Sequence, residues 1–234
     1  MDLFLVNQLA TFDKDILIGI NEFHCIWGDY FINLIAGRLE WIPLYVAMAF
    51  VIFKNLNVRT SLIVMVCIAL AVGLSDHTCS HLLRPMFERL RPSNLDNPIH
   101  VYIHIVDNYR GGQYGMPSCH AANSMALSLY IILLFRKRFV SWFMAGWTAL
   151  LCYARMYEGV HYPGDILGGL IVGTAFAIIF YFITRFLIKN YNHWYTDGKK
   201  FLEHEFNNTS LIPYVGIATI VVIMIWATIS MYRY

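Results

Sequence analysis

Long apolar stretches with few charges are the feature that most constrains what this chain can fold into. A helix needs about 20 mostly apolar residues to cross the hydrocarbon core of a bilayer. Five stretches meet this requirement: Ser61–His77, His120–Phe135, Phe139–Met156, Ile166–Ile188 and Ile212–Met231. A sixth candidate, Ile32–Phe53, is interrupted by Gly37–Glu40 and by Pro43. The pattern predicts an all-α, polytopic membrane bundle with about six transmembrane helices.

Charged side chains are too few for a soluble globule. Asp, Glu, Lys and Arg make up 14% of the 234 residues, whereas soluble domains carry roughly 25%. The formal net charge of +2 provides no basic face for nucleic acid, so we expect no nucleic-acid partner. The five cysteines are an odd number and do not form a disulfide framework. The composition favours an integral membrane protein whose partners are membrane lipids, and it leaves the oligomeric state open.

Residues 1–24 carry a different pattern from the apolar stretches. Apolar residues recur at helical spacing on one side, and polar residues such as Asp13 and Asn21 fill the other side. This pattern predicts an amphipathic helix that lies in the membrane interface. We expect one integral-membrane domain, 1–234, with the interfacial helix at 1–24, a core at 30–188, a cytoplasmic connection at 190–211 and a C-terminal transmembrane helix at 212–232.

Loop charge predicts the orientation in the membrane. The connections Arg84–Cys119 and Glu158–Asp165 lie on the same side, because two predicted spans, His120–Phe135 and Phe139–Met156, form a hairpin between them. The basic turn Arg136–Arg138 lies on the opposite side, which the positive-inside rule makes cytoplasmic. In a bacterium the two connections would then face the periplasm or the exterior from the inner (cytoplasmic) membrane.

Three polar clusters fall on this outward side, at Arg84–Pro92, Pro117–His120 and Ala154–Asp165. Arginine forks bind phosphate oxygens bidentately, and the start of a helix after Ser118 offers backbone amides to an anion. Of two histidines, one can attack phosphorus while the other protonates the departing oxygen. The residue types therefore indicate phosphoryl transfer, for which this inventory requires no metal or cofactor.

The spacing of the three clusters resembles that of a known family. The chain contains Arg84-x6-Arg91-Pro92, Pro117-Ser118-x-His120 and Arg155-x5-His161-x3-Asp165. These segments are similar to the three signatures of the type-2 phosphatidic acid phosphatase superfamily, which also includes vanadium haloperoxidases. The resemblance implies an all-helical membrane phosphatase.

The resemblance also implies a role for each matched residue. His161 would be the nucleophile that forms a phosphohistidine, Asp165 would orient it, and His120 would be the general acid for the leaving group. The implied phosphate-binding residues are Arg84, Arg91, Arg155, Ser118 and Cys119, the last through local backbone amides.

Three positions depart from the family pattern. Arg84 stands where Lys is usual, Cys119 where Gly or Ser is usual, and Ala154 where Ser is usual. Arg84 keeps the positive charge but changes the geometry of the donors. None of the three removes an implied catalytic role, so we expect them to affect the choice of substrate more than activity.

A membrane phosphatase that acts on lipid phosphate monoesters or pyrophosphates at the outer leaflet is the function that this reasoning favours. A phosphate pocket at the membrane surface suits a head group whose tail stays in the bilayer. The resemblance leaves undecaprenyl pyrophosphate, phosphatidylglycerol phosphate, phosphatidic acid and lipid A phosphate as candidate substrates.

Other hypotheses account for fewer of these residues. A transporter of phosphate-bearing lipids would explain the arginines but not the two histidines and Asp165, and vanadate-dependent halide oxidation is the second alternative. The i,i+4 spacing of His77 with His81 suggests a metal site only weakly, because no third ligand is evident nearby. Asp76, an acid inside a predicted span, has either a structural partner or a role in a proton pathway.

Overall fold

Helices account for the regular structure of the described part of the chain. The computed structural model describes residues 3–190, 201 and 203–233, with side chains described from residue 10 onward except at 190. Its α-helices are α1 (Leu3–Asn21), α2 (Ile26–Ala36), α3 (Ile42–Asn55), α4 (Val58–His77), α5 (Arg84–Phe87), α6 (Cys119–Phe135), α7 (Arg138–Tyr157), α8 (Pro163–Asn190) and α9 (Leu211–Met231). Within these residues an isolated antiparallel bridge joins Leu90 to Tyr114. The predicted all-α class is confirmed.

Capping residues and prolines explain where several helices begin. The side chain of Asn57 accepts a hydrogen bond from the Thr60 amide (2.9 Å) ahead of α4, and capping of this kind satisfies a donor that the first turn leaves free. Pro43 stands in the first turn of α3 and Pro163 opens α8. A proline at such a position loses no helical hydrogen bond.

Among the residues that the structure describes, three helical segments are long and apolar enough to cross a membrane: Val58–Phe87, Pro163–Lys189 and Leu211–Met231. The first is longer than α4 because a π-helical stretch, Thr78–Leu83, continues it into α5. The predicted spans at 120–135 and 139–156 are helical as well, as α6 and α7. The helices are found where the apolar stretches predict them, while a total of about six crossings stays a prediction.

The predicted span Ile32–Phe53 is wrong as a single helix. α2 ends at Ala36, and the chain becomes helical again only at Ile42. Gly37 adopts an extended backbone that ends α2. Trp41 donates its indole N–H to the carbonyl of Ile35 (2.9 Å), so the intervening residues fold back over the end of α2.

The predicted interfacial segment at 1–24 contains α1, which packs against α7 and α8. The side chain of Asn21 donates to the carbonyls of His104 (2.9 Å) and Tyr157 (2.7 Å) and accepts from the His104 amide (2.7 Å). These bonds tie the end of α1 to the long loop and to α7. Its depth in the membrane interface stays a prediction. Residues 191–200 and 202 of the predicted connection at 190–211 lie outside the described residues.

α6 is the helix on which the core is built, with α8, α7 and α4 packed around it. Gly169 and Gly173 allow α8 to approach α6 closely, because a Cβ atom at either position would clash with a backbone carbonyl of Ser118 or Ala122. This close packing holds the start of α8 beside the start of α6. The second and third sequence clusters therefore meet at one end of the bundle.

Candidate active site

His161 and Asp165 form a fully buried pair at the junction of α7 and α8. His161 Nδ1 lies 3.3 Å from Asp165 Oδ2, and the exposed fractions of their side chains are 1% and 0%. Asp165 Oδ2 also accepts from the Tyr162 amide (3.0 Å). The pairing follows from local structure, since one turn of chain leads from His161 into the first turn of α8.

Arg91 contacts the other ring nitrogen of His161. Its Nη1 atom donates to His161 Nε2 (2.9 Å) and to the carbonyl of Val160 (3.1 Å). A guanidinium can only donate, so Nε2 must be the acceptor and the ring proton must be on Nδ1, from which it is donated to Asp165. Arg91 and Asp165 therefore hold His161 in the tautomer whose Nε2 lone pair is free to react once Arg91 moves aside.

Electrostatics keep His161 neutral. Burial lowers the pKa of His161 well below 6.5, and the positive charges of Arg91, Arg155 and Arg84 lower this pKa further, against a hydrogen bond with the Gly115 backbone. Burial also lowers the pKa of Arg91 to about 10, with repulsion from Arg84 and Arg155 contributing. At neutral pH the site thus combines an uncharged imidazole with a charged guanidinium.

Arg89 is a site residue to which sequence reasoning assigned no role. Its Nη1 atom donates to Asp165 Oδ1 (3.1 Å), and its Nη2 atom pairs with Asp13 of α1. The guanidinium also lies 4.0 Å from the centre of the Tyr162 ring. Asp13 in turn accepts from the Gly164 amide (2.7 Å). The signal for Arg89 was its place within the first cluster, but nothing in the spacing linked it to α1.

Gly115 is the second residue that sequence reasoning missed. A Cβ atom at this position would lie 2.8 Å from Asp165 Oδ2 and 3.3 Å from Arg91 Cγ. Only glycine allows the backbone to approach the His161–Asp165 pair this closely.

Arg155 reaches the same region from the end of α7, paired with a carboxylate. Its Nη1 atom lies 2.7 Å from Glu158 Oε2, and both side chains are buried. Its guanidinium also lies 5.5 Å from the centre of the Tyr109 ring. Glu158 is inside the third cluster, yet the spacing of that cluster gave no reason to select it.

The remaining predicted phosphate-binding residues, Arg84, Ser118 and Cys119, contact backbone groups. Arg84 Nε donates to the Pro117 carbonyl (3.2 Å), which joins the first cluster to the second. Ser118 is fully buried. Its hydroxyl caps α6 by accepting from the Ala121 amide (3.5 Å), and its own amide donates to the Asp165 carbonyl (2.9 Å). The thiol of Cys119 contacts the Asp76 carbonyl (3.9 Å), so this side chain packs towards α4.

Asp76 and the paired histidines have structural partners in the described part of the chain. Asp76 Oδ1 accepts from the Asn123 side chain of α6 (2.7 Å), which supports the structural interpretation of this half-buried acid. The rings of His77 and His81 stack at a centroid distance of 4.6 Å.

His120 lines two adjoining cavities. One, the polar cavity of about 360 Å³, has mostly polar or charged residues in its lining, among them Arg155, Glu158 and Arg38. The other, of about 290 Å³, is mainly apolar. Its lining includes Trp41, Tyr45, Val72, Leu127, Trp147 and Leu151. His120 and Arg38 belong to both cavities, so the predicted general acid stands where a polar space meets an apolar one.

The structure brings the three clusters together. His161 contacts both Asp165 and Arg91, and Arg155 shares the polar cavity with His120. The long apolar helices are those of an integral membrane protein, and its buried histidine lies among arginines, the side chains that suit an anionic ligand.

The chain belongs to the PAP2 superfamily, whose family model matches residues 58–189. It is 40% identical to the lipid A 4′-phosphatase of Bacteroides thetaiotaomicron over 77% of this chain and 80% of that protein. It is 32% identical to the lipid A 4′-phosphatase of Porphyromonas gingivalis, over 81% of this chain and 78% of that protein. The predicted family is confirmed, and the protein is an integral membrane phosphatase.

A solved structure shares the fold. The crystal structure of a transmembrane PAP2-type phosphatidylglycerolphosphate phosphatase from Bacillus subtilis superposes with a TM-score of 0.56, at 19% identity, over 80% of this chain and 90% of that one. At this identity the likeness concerns the helical architecture alone.

Proposed function

We propose that the protein removes phosphate from lipid A, at the 4′ position, through a phosphohistidine formed at His161. The observation that carries this proposal is the position of His120, between a polar cavity that contains Arg155 and an apolar cavity suited to a hydrocarbon chain. A phosphate held at the polar end would place the attached lipid towards the apolar end. The two lipid A 4′-phosphatases to which the chain is similar support this choice of substrate.

In the first step, phosphate displaces Arg91 from His161 Nε2 and is bound by the arginines. Buried Nε–H groups of Arg91 and Arg155 have no hydrogen-bond partner among the described residues, so both have a donor left for phosphate oxygens. Nε2 forms a bond to phosphorus as the bond from phosphorus to the lipid oxygen breaks. Asp165 stabilises the positive charge that develops on the ring, and His120 gives its proton to the departing oxygen.

The second step releases inorganic phosphate. His120, now neutral, takes a proton from water as the water oxygen attacks phosphorus and the bond to His161 breaks. The arginines stabilise the negative charge of both transition states, as preorganised donors do in other sites where an oxyanion develops. The predicted roles of Arg84, Ser118 and the Cys119 amide belong to this same anion site.

A competition assay tests the substrate. Purified protein in detergent is given lipid A, undecaprenyl pyrophosphate, phosphatidylglycerol phosphate and phosphatidic acid at equal concentration, and mass spectrometry follows each product. We expect lipid A to lose its 4′-phosphate with the highest kcat/KM. A higher kcat/KM for the polyprenyl pyrophosphate would refute the proposed substrate while leaving the phosphatase itself in place.

The covalent intermediate has its own test. The wild type reacts with a lipid that is radiolabelled in its phosphate group, and the reaction is quenched rapidly without acid. The protein should then carry a covalent label that acid removes. The His161→Ala variant should show neither the label nor turnover, because no other side chain in the site can replace the nucleophile. Retained labelling of this variant would exclude His161 as the attacking residue.

We also propose that the site faces the periplasm from the bacterial inner membrane, in a bundle of about six spans. The basic turn Arg136–Arg138 joins α6 to α7 at the end of the bundle opposite the site. The positive-inside rule puts such a turn in the cytoplasm.

A further inference from the structure

Glu158 introduces a negative charge where the proposed mechanism needs to bind an anion. Its Oε2 atom is 2.7 Å from Arg155 Nη1, and the exposed fractions of the two side chains are 5% and 4%. Glu158 and Arg155 line the same cavity as His120. The Glu158 carboxylate is therefore paired with the same guanidinium that is expected to bind phosphate.

The charges around Glu158 come from several elements. Arg155 faces it from the end of α7, His120 from α6, Arg38 from the segment between α2 and α3, and Tyr109 from the long loop. Arg155 is the group in direct contact with Glu158. A phosphate dianion that binds Arg155 would meet the Glu158 carboxylate at close range, and two such anions repel strongly in a site shielded from water.

We propose that Glu158 occupies the phosphate position at Arg155 in the empty site and takes up one proton when phosphate binds. The inference rests on the proposed function, because it assumes that Arg155 binds the substrate phosphate. The proton comes from solvent and converts the carboxylate to a neutral carboxyl group. That group then donates its O–H to a phosphate oxygen, so that repulsion becomes a hydrogen bond.

The electrostatics of Glu158 agree with this geometry. Burial raises the pKa of Glu158 to about 7, although the neighbouring Arg155 acts in the opposite direction. A carboxyl group with such a pKa changes its charge at little cost near neutral pH. Anion binding should therefore be strongest below pH 7, where Glu158 is already protonated, and should weaken as the pH rises.

Tungstate is the probe that isolates this effect. It is a tetrahedral dianion that stays unprotonated between pH 6 and pH 8.5, so its own titration does not contribute. Binding to the wild type, to Glu158→Gln and to the control Glu22→Gln is measured by calorimetry in detergent across this range. Glu22 is exposed, and its substitution changes the net charge by the same amount.

We expect the wild type and Glu22→Gln to bind tungstate with a Kd about 10-fold higher at pH 8 than at pH 6. This is the change that one obligatory proton with a pKa near 7 produces. Glu158→Gln should change by less than about 2-fold over the same range, because its amide stays neutral. The same pH dependence in Glu158→Gln and in the wild type would overturn the proposal.

Two further measurements keep the test decisive. If Glu158→Gln does not fold, Glu158→Leu supplies a neutral side chain of similar size, and its Kd should also be independent of pH. Wild-type titrations at pH 8 in two buffers with different ionisation heats should show about one proton taken up per tungstate bound; no uptake would contradict the proposal. Failure of the wild type to bind tungstate at any pH would instead overturn the anion site and the proposed function with it.

Discussion

At the scale of single residues, the two histidines differ in what holds them. His161 has a partner at each ring nitrogen, Arg91 on one side and Asp165 on the other, whereas His120 lines two cavities. A nucleophile needs a fixed orientation, while a general acid needs access to a leaving group of variable shape. The fixed orientation of His161 suits a nucleophile, and the cavities beside His120 leave room for a leaving group.

Removing His120 should affect substrates according to their leaving group. We expect His120→Ala to lose at least 100-fold in kcat on a lipid alkoxide, in line with the 10²–10⁴-fold contribution of general acids, and far less on an aryl phosphate that leaves without protonation. Steady-state rates on one lipid phosphate and on p-nitrophenyl phosphate provide the comparison. Equal losses on both would mean that His120 does not act as the acid.

Substitutions at Arg84 test whether the first cluster binds phosphate. At this position the chain has arginine where the family usually has lysine. Arg84→Lys should retain substantial activity because it keeps the charge, although it loses the hydrogen bond from Nε to Pro117. Arg84→Ala should lose on the order of 2–4 kcal/mol of transition-state stabilisation, as removal of one oxyanion donor does. The measurement is kcat/KM of both variants on one lipid phosphate.

The control for this series is Arg59→Ala, which removes an exposed arginine near the other end of the same long helical segment. It should leave kcat/KM within about 2-fold of the wild type, as expected for a surface charge away from the site. A nearly normal rate in Arg84→Ala would show that Arg84 is only an interfacial arginine.

At the scale of elements, α1 contributes to the site although its sequence predicts only an amphipathic surface helix. Asp13 binds both Arg89 and the Gly164 amide, and Arg89 in turn binds Asp165. The first turn of α8, which positions Asp165, is therefore supported by a helix that lies about 150 residues away in sequence.

Breaking this support should reduce catalysis more than binding. We expect Asp13→Ala to lower kcat by about 10-fold with little change in KM, by analogy with residues that orient metal ligands, whose loss costs about 10–100-fold. Asp15→Ala is the matched control, since Asp15 is exposed on the same helix. A loss of the same size in both variants would indicate general damage to α1 rather than positioning of Asp165.

At the scale of the whole molecule, the convergence of three arginines on one region suggests that cationic side chains supply the positive charge of the reaction. Activity should then survive EDTA, and vanadate should inhibit by adopting the five-coordinate geometry of the transition state. Phosphate release is measured with EDTA and with added Mg²⁺ or Zn²⁺. Strict dependence on either metal would overturn the proposed mechanism.

The orientation can be tested with a natural cysteine. Cys25 is exposed, whereas Cys67, Cys79, Cys119 and Cys152 are buried. The Cys25 amide donates to the Tyr157 hydroxyl (3.1 Å), which places it at the same end of the bundle as the site. A membrane-impermeant maleimide should label the wild type in intact spheroplasts but not Cys25→Ser. Labelling only after lysis would reverse the proposed orientation.

From the sequence alone it was possible to predict the helical class, the family and the pairing of His161 with Asp165. Each of these depends on local order along the chain: apolar runs of bilayer length, ordered motifs, and one helical turn between two residues. The break between α2 and α3 was visible in Gly37 and Pro43 as an interruption, but its outcome was not. Whether such a stretch tilts or folds back depends on contacts such as that of Trp41 with Ile35.

The partner of each arginine became evident only in the folded structure. Arg89 and Arg91 are two residues apart, yet one binds Asp165 and the other His161, at separations of 76 and 70 residues. Glu158 likewise becomes part of the proposed anion site only because α6 and α7 bring His120 and Arg155 to one cavity. Long, flexible side chains of similar chemistry are interchangeable in a motif, and their contacts are set by how the helices pack, which spacing along the chain does not encode.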